Sequence, residues 1–391
     1  MRKSFYSELD PNGKYIMLCC FYIFALNGMY TLVLGSLLPL ISAEYELSNT
    51  FGGTLLSVHN AGTLFAGFIA GIVPFYLGRK RALLFLCSFV VVGFVIMVSS
   101  GNPIWLLIGF VFIGISRGSI ANFNNAIINE VSGGSMSALN FLHSMFAVGA
   151  LLAPLLVMFS TRAGDEGWRV AALTIAGLVA IAIALFSRAN FGELAQAQRK
   201  EKLSYKFLKN RRLWYNIGIL FFYLCVESTV NGWIVTYFIS DGIMSSQYAQ
   251  TLAALLWLVI LIGRLSIVFF GERVSKAQIL ILATTGTALF YILLLSTQSL
   301  TVITLAIVGL GFSMAGIYPT VIANVGTVIK DYPQSLGVLL LISGIGAIAM
   351  PLATGALSDR FGMFAGMSAV VIAIVLMLTL VVIELRGRPA A

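Results

Sequence analysis

Two ionisable side chains lie where an apolar chain should not carry them. Arg117 falls in the middle of the run 104–130 and Glu227 in the middle of the run 214–240, both otherwise rich in aliphatic and aromatic residues. A charge at the centre of a lipid bilayer costs about 3 kcal/mol or more unless it meets a partner or water, so each asks for a reason. A carboxylate in that setting can take up a proton or hold a cation, because desolvation raises its proton affinity and a nearby arginine lowers it. An arginine keeps its proton, so its part would be to hold a carboxylate, a hydroxyl or a substrate. A fixed Arg117–Glu227 bridge that only pins helices would use the same two residues.

Polar and aromatic residues recur around the pair at helical spacing. Asn27 and Tyr30 are three apart, Glu227 and Asn231 four apart, so each couple shares a helix face. Hydroxyl-rich solutes such as sugars want amides and carboxylates at their edges and an aromatic platform under their C–H faces. Asn27, Tyr30, His59, Asn60, Asn124, His143, Asn231, Trp257 and Tyr318 are the candidate substrate-binding residues, with Glu227 and Arg117 as the coupling pair. Each has a plainer alternative. The asparagines could lock helices together, the aromatics could pack or anchor at an interface, and the histidines could serve as satisfied interhelical donors. Arg264, nearer one end of its run, reads as a gate or packing element whose side chain can snorkel to the surface.

The elements that must position these residues follow from composition. Of 391 residues 59% are hydrophobic and 10% charged, more apolar surface than a soluble domain of this length can hide. The apolar residues fall into twelve runs, 15–41, 51–77, 82–100, 104–130, 136–158, 170–187, 214–240, 247–270, 277–296, 300–328, 335–356 and 364–385. Runs of about 20 residues suit helices that cross a hydrocarbon layer of about 30 Å, and they lack the alternation of barrel strands. The expected fold is an all-α membrane protein of twelve transmembrane helices. With the N-terminus inside, nineteen of the 24 Lys and Arg residues fall on the cytoplasmic side and only Arg162, Arg169 and Arg360 on the other, so both termini are expected to be cytoplasmic. The net charge of +9 then reads as an insertion signal, with no nucleic-acid partner. The first run is expected to stay as a span and not to be cleaved as a signal peptide.

Residues 188–213 form the one long polar connection, a basic linker expected to lie on the inner leaflet against anionic membrane lipids. It separates an N-terminal bundle, 1–187, from a C-terminal bundle, 214–391, each of six helices. The halves echo one another: Gly149-Ala150-Leu151-Leu152-Ala153-Pro154 lines up with Gly346-Ala347-Ile348-Ala349-Met350-Pro351, and Phe21-Tyr22 with Phe222-Tyr223. Repeated bundles with a mid-membrane site are the construction of alternating-access transporters. Glycines such as Gly67, Gly71, Gly344 and Gly346 would let helices approach closely and slide. Cys19, Cys20, Cys87 and Cys225 all lie in apolar runs without a CxxC pair, so neither a disulfide framework nor a metal site is expected. No phosphate-binding loop appears, and no cofactor is expected.

Several segments resemble the major facilitator superfamily, over essentially the whole chain. Gly71-Ile72-Val73-Pro74-Phe75-Tyr76-Leu77-Gly78-Arg79-Lys80-Arg81 resembles the family's loop after the second span, with Phe75 and Tyr76 in place of its acidic and first basic residues. Arg117-Gly118 through Asn129-Glu130 is similar to the family's fourth-span pattern, and Gly149 to Pro154 to its Gly/Pro-rich fifth span. Ser137 to Gly149, with Asn140, His143 and Phe146, resembles the fucose and glucose permease-like branch, as do Phe221 to Tyr237 and Gly263-Arg264-Leu265. The resemblance implies a non-enzymatic transporter, with Gly71, Gly78, Arg79 and Arg264 as gating elements. It also implies cation-coupled uptake of a sugar or similar small polar solute, with protons expected ahead of sodium as the coupling ion. The sequence holds no N-x-S/T sequon and no large outer loop, so a bacterial inner membrane is expected, and the chain is expected to be a monomer. The rival readings are an exporter of amphipathic drugs or lipids on the same fold and, from another class, a membrane sensor or enzyme without transport.

Overall fold

Residues 9–100, 102–164, 166–191, 206–240, 242–270 and 274–386 are described by the structure, a computed structural model. They form α1 (Pro11–Glu44), α2 (Asn49–Leu77), α3 (Arg79–Ser99), α4 (Pro103–Val131), α5 (Met136–Ser160), α6 (Gly167–Arg188), α7 (Arg211–Ser240), α8 (Ser246–Phe270), α9 (Lys276–Leu295), α10 (Leu300–Met314), α11 (Ile317–Asn324), α12 (Gly326–Asp331), α13 (Gln334–Phe361), α14 (Met363–Ser368) and α15 (Val370–Arg386). No strand occurs among the described residues. Among the described residues twelve helical stretches are long and apolar enough to cross a membrane, as the composition predicts. Two expected runs are not single helices. The tenth, 300–328, is interrupted after Met314 and again at Val325, and the twelfth is interrupted at Ala369.

Local sequence explains where the helices begin. Asp10 accepts from Gly13 N (3.0 Å) and Asn102 from Ile104 N (3.0 Å), each followed by a proline at the first helical position, where a missing N–H costs nothing. Ser275 and Gln278 form a reciprocal capping box at the start of α9. At the far end of α1, Glu44 accepts from Trp168 Nε1 (2.6 Å) and pairs with Arg169, fastening α1 to α6.

The described residues pack as two compact units, one from Met1–Tyr45 with Val58–Arg199, the other from Glu46–Ser57 with Lys200–Ala391. Of the basic linker, 192–205 lie outside the described residues, as do Arg2, Lys3, Arg273 and Arg388. Lys206–Lys209 form a short 3-10 turn whose Phe207 packs on Tyr332.

Inside each unit one crossing brings two backbones into contact. In the first, α5 lies on α1: a methyl group on Gly149 would overlap the carbonyl of Ala25, and one on Gly28 the carbonyl of Phe146. In the second, α13 lies on α7, with Gly346 against the carbonyl of Phe221. Gly149 and Gly346 are the aligned first residues of the two echoing segments, so the repeat in sequence is a repeat in packing. Helices in lipid gain no hydrophobic drive from meeting each other, and close van der Waals contact has to take its place.

The close-approach expectation does not hold for every glycine named from sequence. Gly71 faces open space, and the atom nearest a methyl on Gly67 would be Asn122 Nδ2 at 3.9 Å. Neither glycine faces a neighbouring backbone. Replacing Gly149 with alanine is therefore expected to abolish the monodisperse folded protein in detergent gel filtration, whereas Gly71→Ala leaves the profile and melting temperature unchanged.

Candidate functional site

Arg117 is placed by a second glycine-lined crossing within the first unit. Gly114 and Gly118, four apart on α4, press against the carbonyls of His59 and Thr63 on α2, and Gly62 returns the contact against Val111 O. Thr63 Oγ1 donates to Gly114 O (3.2 Å), tying the same crossing. At that separation the half-buried Arg117 reaches α2 and its Nη1 donates to Asn60 Oδ1 (3.4 Å). From α1, Asn27 Nδ2 donates to the Arg117 carbonyl (3.0 Å), so backbone and side chain of this residue are held by two different helices.

The surroundings hold polar groups that the protein itself does not satisfy. Asn124, two turns from Arg117 on α4, is fully buried with both amide atoms unpartnered, and Ser119 Oγ and His59 Nε2 are also buried without hydrogen bonds. A buried amide without a partner costs about 1–3 kcal/mol, and such groups normally meet water or a ligand. Tyr30 is fully buried beside Asn27 on α1. His143 is exposed, its ring edge-on to Phe24 at 5.5 Å.

The second unit carries a carboxylate cluster. Tyr223 and Glu227 are one turn apart on α7, and the buried Tyr223 hydroxyl donates to Glu227 Oε1 (3.0 Å) and also to Met314 O (3.3 Å), the last carbonyl of α10. Glu227 is half-buried and makes no ion pair among the described residues. Arg264 from α8 and Tyr318 from α11 lie near enough to act electrostatically on Tyr223. Trp257 is buried on α8, and Asn231 is half-buried one turn beyond Glu227. The sequence reading assigned Tyr223 no role. Its position one turn before Glu227 was the available signal.

The loop at the end of α2 is held from both sides. Gly78 adopts φ 75°, ψ 156°, a conformation that favours glycine, and turns the chain into α3. Arg79 Nη1 pairs with Glu130 Oε2 at the end of α4 (2.6 Å), while Lys80 Nζ donates to Ser187 O and Ala189 O at the end of α6. Phe75 and Tyr76 are exposed.

A turn of the same spacing and backbone geometry ends α13, a feature the sequence analysis does not single out. Gly355-Ala356-Leu357-Ser358-Asp359-Arg360-Phe361-Gly362 matches Gly71 to Gly78 in spacing, and Gly362 has φ 87°, ψ 160°. Here Asp359 and Arg360 stand at the positions that Phe75 and Tyr76 occupy before Gly78. Asp359 Oδ1 accepts from Asn49 N (2.8 Å) and its Oδ2 from Thr50 N (2.8 Å) and Thr50 Oγ1 (2.5 Å). Ser48 Oγ accepts from Phe51 N (3.1 Å), so the first three N–H groups of α2 are all satisfied. These α2 residues belong to the second unit, where Ser57 Oγ also donates to Ile348 O (2.6 Å).

The sequence matches the Major Facilitator Superfamily over residues 18–325. The chain belongs to that superfamily. It is thus a multi-pass integral membrane protein of a transporter family and not an enzyme. This superfamily member is 27% identical to a protein named TsgA homolog from Erwinia tasmaniensis, over 89% of each chain. It is 19% identical to bypass of stop codon protein 6 of Saccharomyces cerevisiae, over 90% of this chain and 78% of the relative. Among solved structures it shares its fold with a bacterial homologue of the human lysosomal transporter Spinster, inward-facing and occupied (TM-score 0.78, 17% identity, 97% and 98% of the two chains). The nucleoside transporter NupG in a D323A form (0.78, 14%, 95% and 99%) and a D-xylose-proton symporter (0.78, 14%, 96% and 98%) share it as well.

Replacing Asn124 with leucine removes an unsatisfied amide at nearly constant volume. The variant is expected to melt a few degrees higher while losing transport, read by thermal denaturation beside an uptake assay. Asp359→Ala is expected to cost about 0.5–2 kcal/mol, the usual worth of a helix cap, and to lower the melting temperature.

Proposed function

We propose that this superfamily member is a secondary active transporter that moves a sugar or similar small polar solute by alternating access, in symport with protons that load at Glu227. The observation that carries the reading is the setting of that carboxylate. It lies mid-way along a membrane-spanning helix, bonded by the neutral Tyr223 hydroxyl and without an ion pair among the described residues. A permanent charge there would be costly, and a proton that comes and goes relieves the cost in one of two states.

The first unit supports a polar cargo. Asn60 and His59 of α2 meet Arg117 of α4, and two turns further along α4 the unpartnered amide of Asn124 suits a ligand that brings hydroxyls. An amphipathic cargo would leave that amide unsatisfied. The fold relatives named for D-xylose-proton symport and nucleoside transport bear on the same solute class. The distribution of Lys and Arg supports cytoplasmic termini, and the proposed organisation is two bundles, 1–187 and 214–391, joined by the linker 188–213 in a monomer of the bacterial inner membrane.

The test is uptake into proteoliposomes of labelled pentoses, hexoses and nucleosides, with proton or sodium gradients imposed separately. Accumulation is expected to follow the proton gradient. Glu227→Gln should cut gradient-driven accumulation by roughly tenfold or more, within the range of a coupling free energy, and leave solute counterflow intact. Accumulation by the glutamine variant at the wild-type level would overturn the coupling assignment, and dye extrusion without solute uptake would overturn the cargo.

A further inference from the structure

The tenth span is broken for a reason visible in its residues. Pro319 has no N–H to give the carbonyl of Ala315, and its ring crowds that carbonyl, so the helix is interrupted at Ala315-Gly316. Ala315 N still reaches Gly311 O (3.2 Å) and Thr320 N reaches Gly316 O (3.2 Å), which closes the helix on either side of the interruption. The break is clasped from outside: a methyl on Gly316 would meet Ile267 of α8 and Ile279 of α9, and Gly263 of α8 sits against Ala315. It is a defined joint between two short rigid helices.

Tyr223 touches both this joint and the carboxylate. Its hydroxyl has one hydrogen and two acceptors, Glu227 Oε1 at 3.0 Å and Met314 O at 3.3 Å, the latter at the edge of the break. An ionised carboxylate draws that hydrogen strongly, since charge-assisted bonds are about twice as strong as neutral ones. A protonated carboxyl is a weaker acceptor and is itself a donor. With the proton on Glu227, the carboxyl O–H can donate to the Tyr223 oxygen and the Tyr223 O–H can turn wholly to Met314 O, a chain in which each bond strengthens the next.

We propose that Tyr223 is the positioning residue that transmits the protonation of Glu227 to the joint between α10 and α11, tightening α10 onto α7 when the proton is bound. The proposal rests on Glu227 being the proton site. One proton moves, from water to a Glu227 oxygen, and the Tyr223 proton stays on its own oxygen while its hydrogen bond changes acceptor. The other charged or titratable groups acting on Tyr223 are Arg264 from α8 and Tyr318 from α11. Arg264 stays charged throughout, so its field is constant between the two states.

Hydrogen–deuterium exchange of the segment 312–320, in the full-length protein in liposomes at acidic and alkaline pH and corrected for intrinsic rates, tests the link. In the wild type, acid is expected to slow exchange of this segment by about fivefold or more, the signature of a local opening equilibrium shifted towards closed. Tyr223→Phe keeps the ring and removes the hydroxyl, and should hold exchange of the segment at one value across pH. Pro319→Ala gives Ala315 O its missing donor and should make the segment slow at every pH. Wild-type exchange that ignores pH, or a pH response kept in Tyr223→Phe, would overturn the proposal. Glu227→Gln separates the two assignments. If the segment still responds to pH in that variant, the proton site is elsewhere and the coupling reading fails first. If the response vanishes there yet persists in Tyr223→Phe, Glu227 stands and the relay falls.

Discussion

Everything in this molecule depends on how near two helix backbones can come inside lipid. Where α5 meets α1 and α13 meets α7, a glycine hydrogen is all that separates a helix from its neighbour's carbonyl. The α2–α4 crossing at Gly114 and Gly118 works in the same way. Hydrocarbon gives helices no reason to leave it for one another, so association has to be earned through many short contacts and a few polar bonds. Those crossings also set the distances over which side chains can reach. Arg117 meets Asn60 because α4 and α2 touch, and a larger residue at Gly114 would move the arginine away from its acceptor.

The second constraint is how charge is held at depth. The two units solve it differently. In the first, an arginine that cannot discharge is anchored through its guanidinium by α2 and through its backbone by α1. In the second, the Glu227 carboxylate is given a phenol as its partner, the Tyr223 hydroxyl.

Much of this was legible in the sequence, and what was not has physical causes. The twelve spans and the all-helical class stand out because lipid demands long apolar runs. Arg117 and Glu227 stand out for the opposite reason. The echo of Gly149 to Pro154 in Gly346 to Pro351 marked a packing repeat correctly, yet the same residue type misled at Gly71, because only a tertiary crossing gives a helical glycine its purpose. The joint in the tenth span was present in Gly316 and Pro319 and escaped notice behind an unbroken apolar run. Asp359 was harder still. Two of its three partners are backbone N–H groups of a helix start more than 300 residues away, and those leave no signature in side-chain types.

The two glycine turns share a shape and differ in charge. Gly78 and Gly362 adopt one backbone geometry, while only the second has a carboxylate three residues before the glycine. Where Phe75 and Tyr76 stand, the turn is held instead by the partly exposed Arg79–Glu130 pair. Where Asp359 stands, the grip on α2 is electrostatic and partly open to solvent, and counter-ions within a screening length of about 8–10 Å loosen it. Dissolved salt therefore bears on both turns, through an ion pair at the first and through a helix cap at the second.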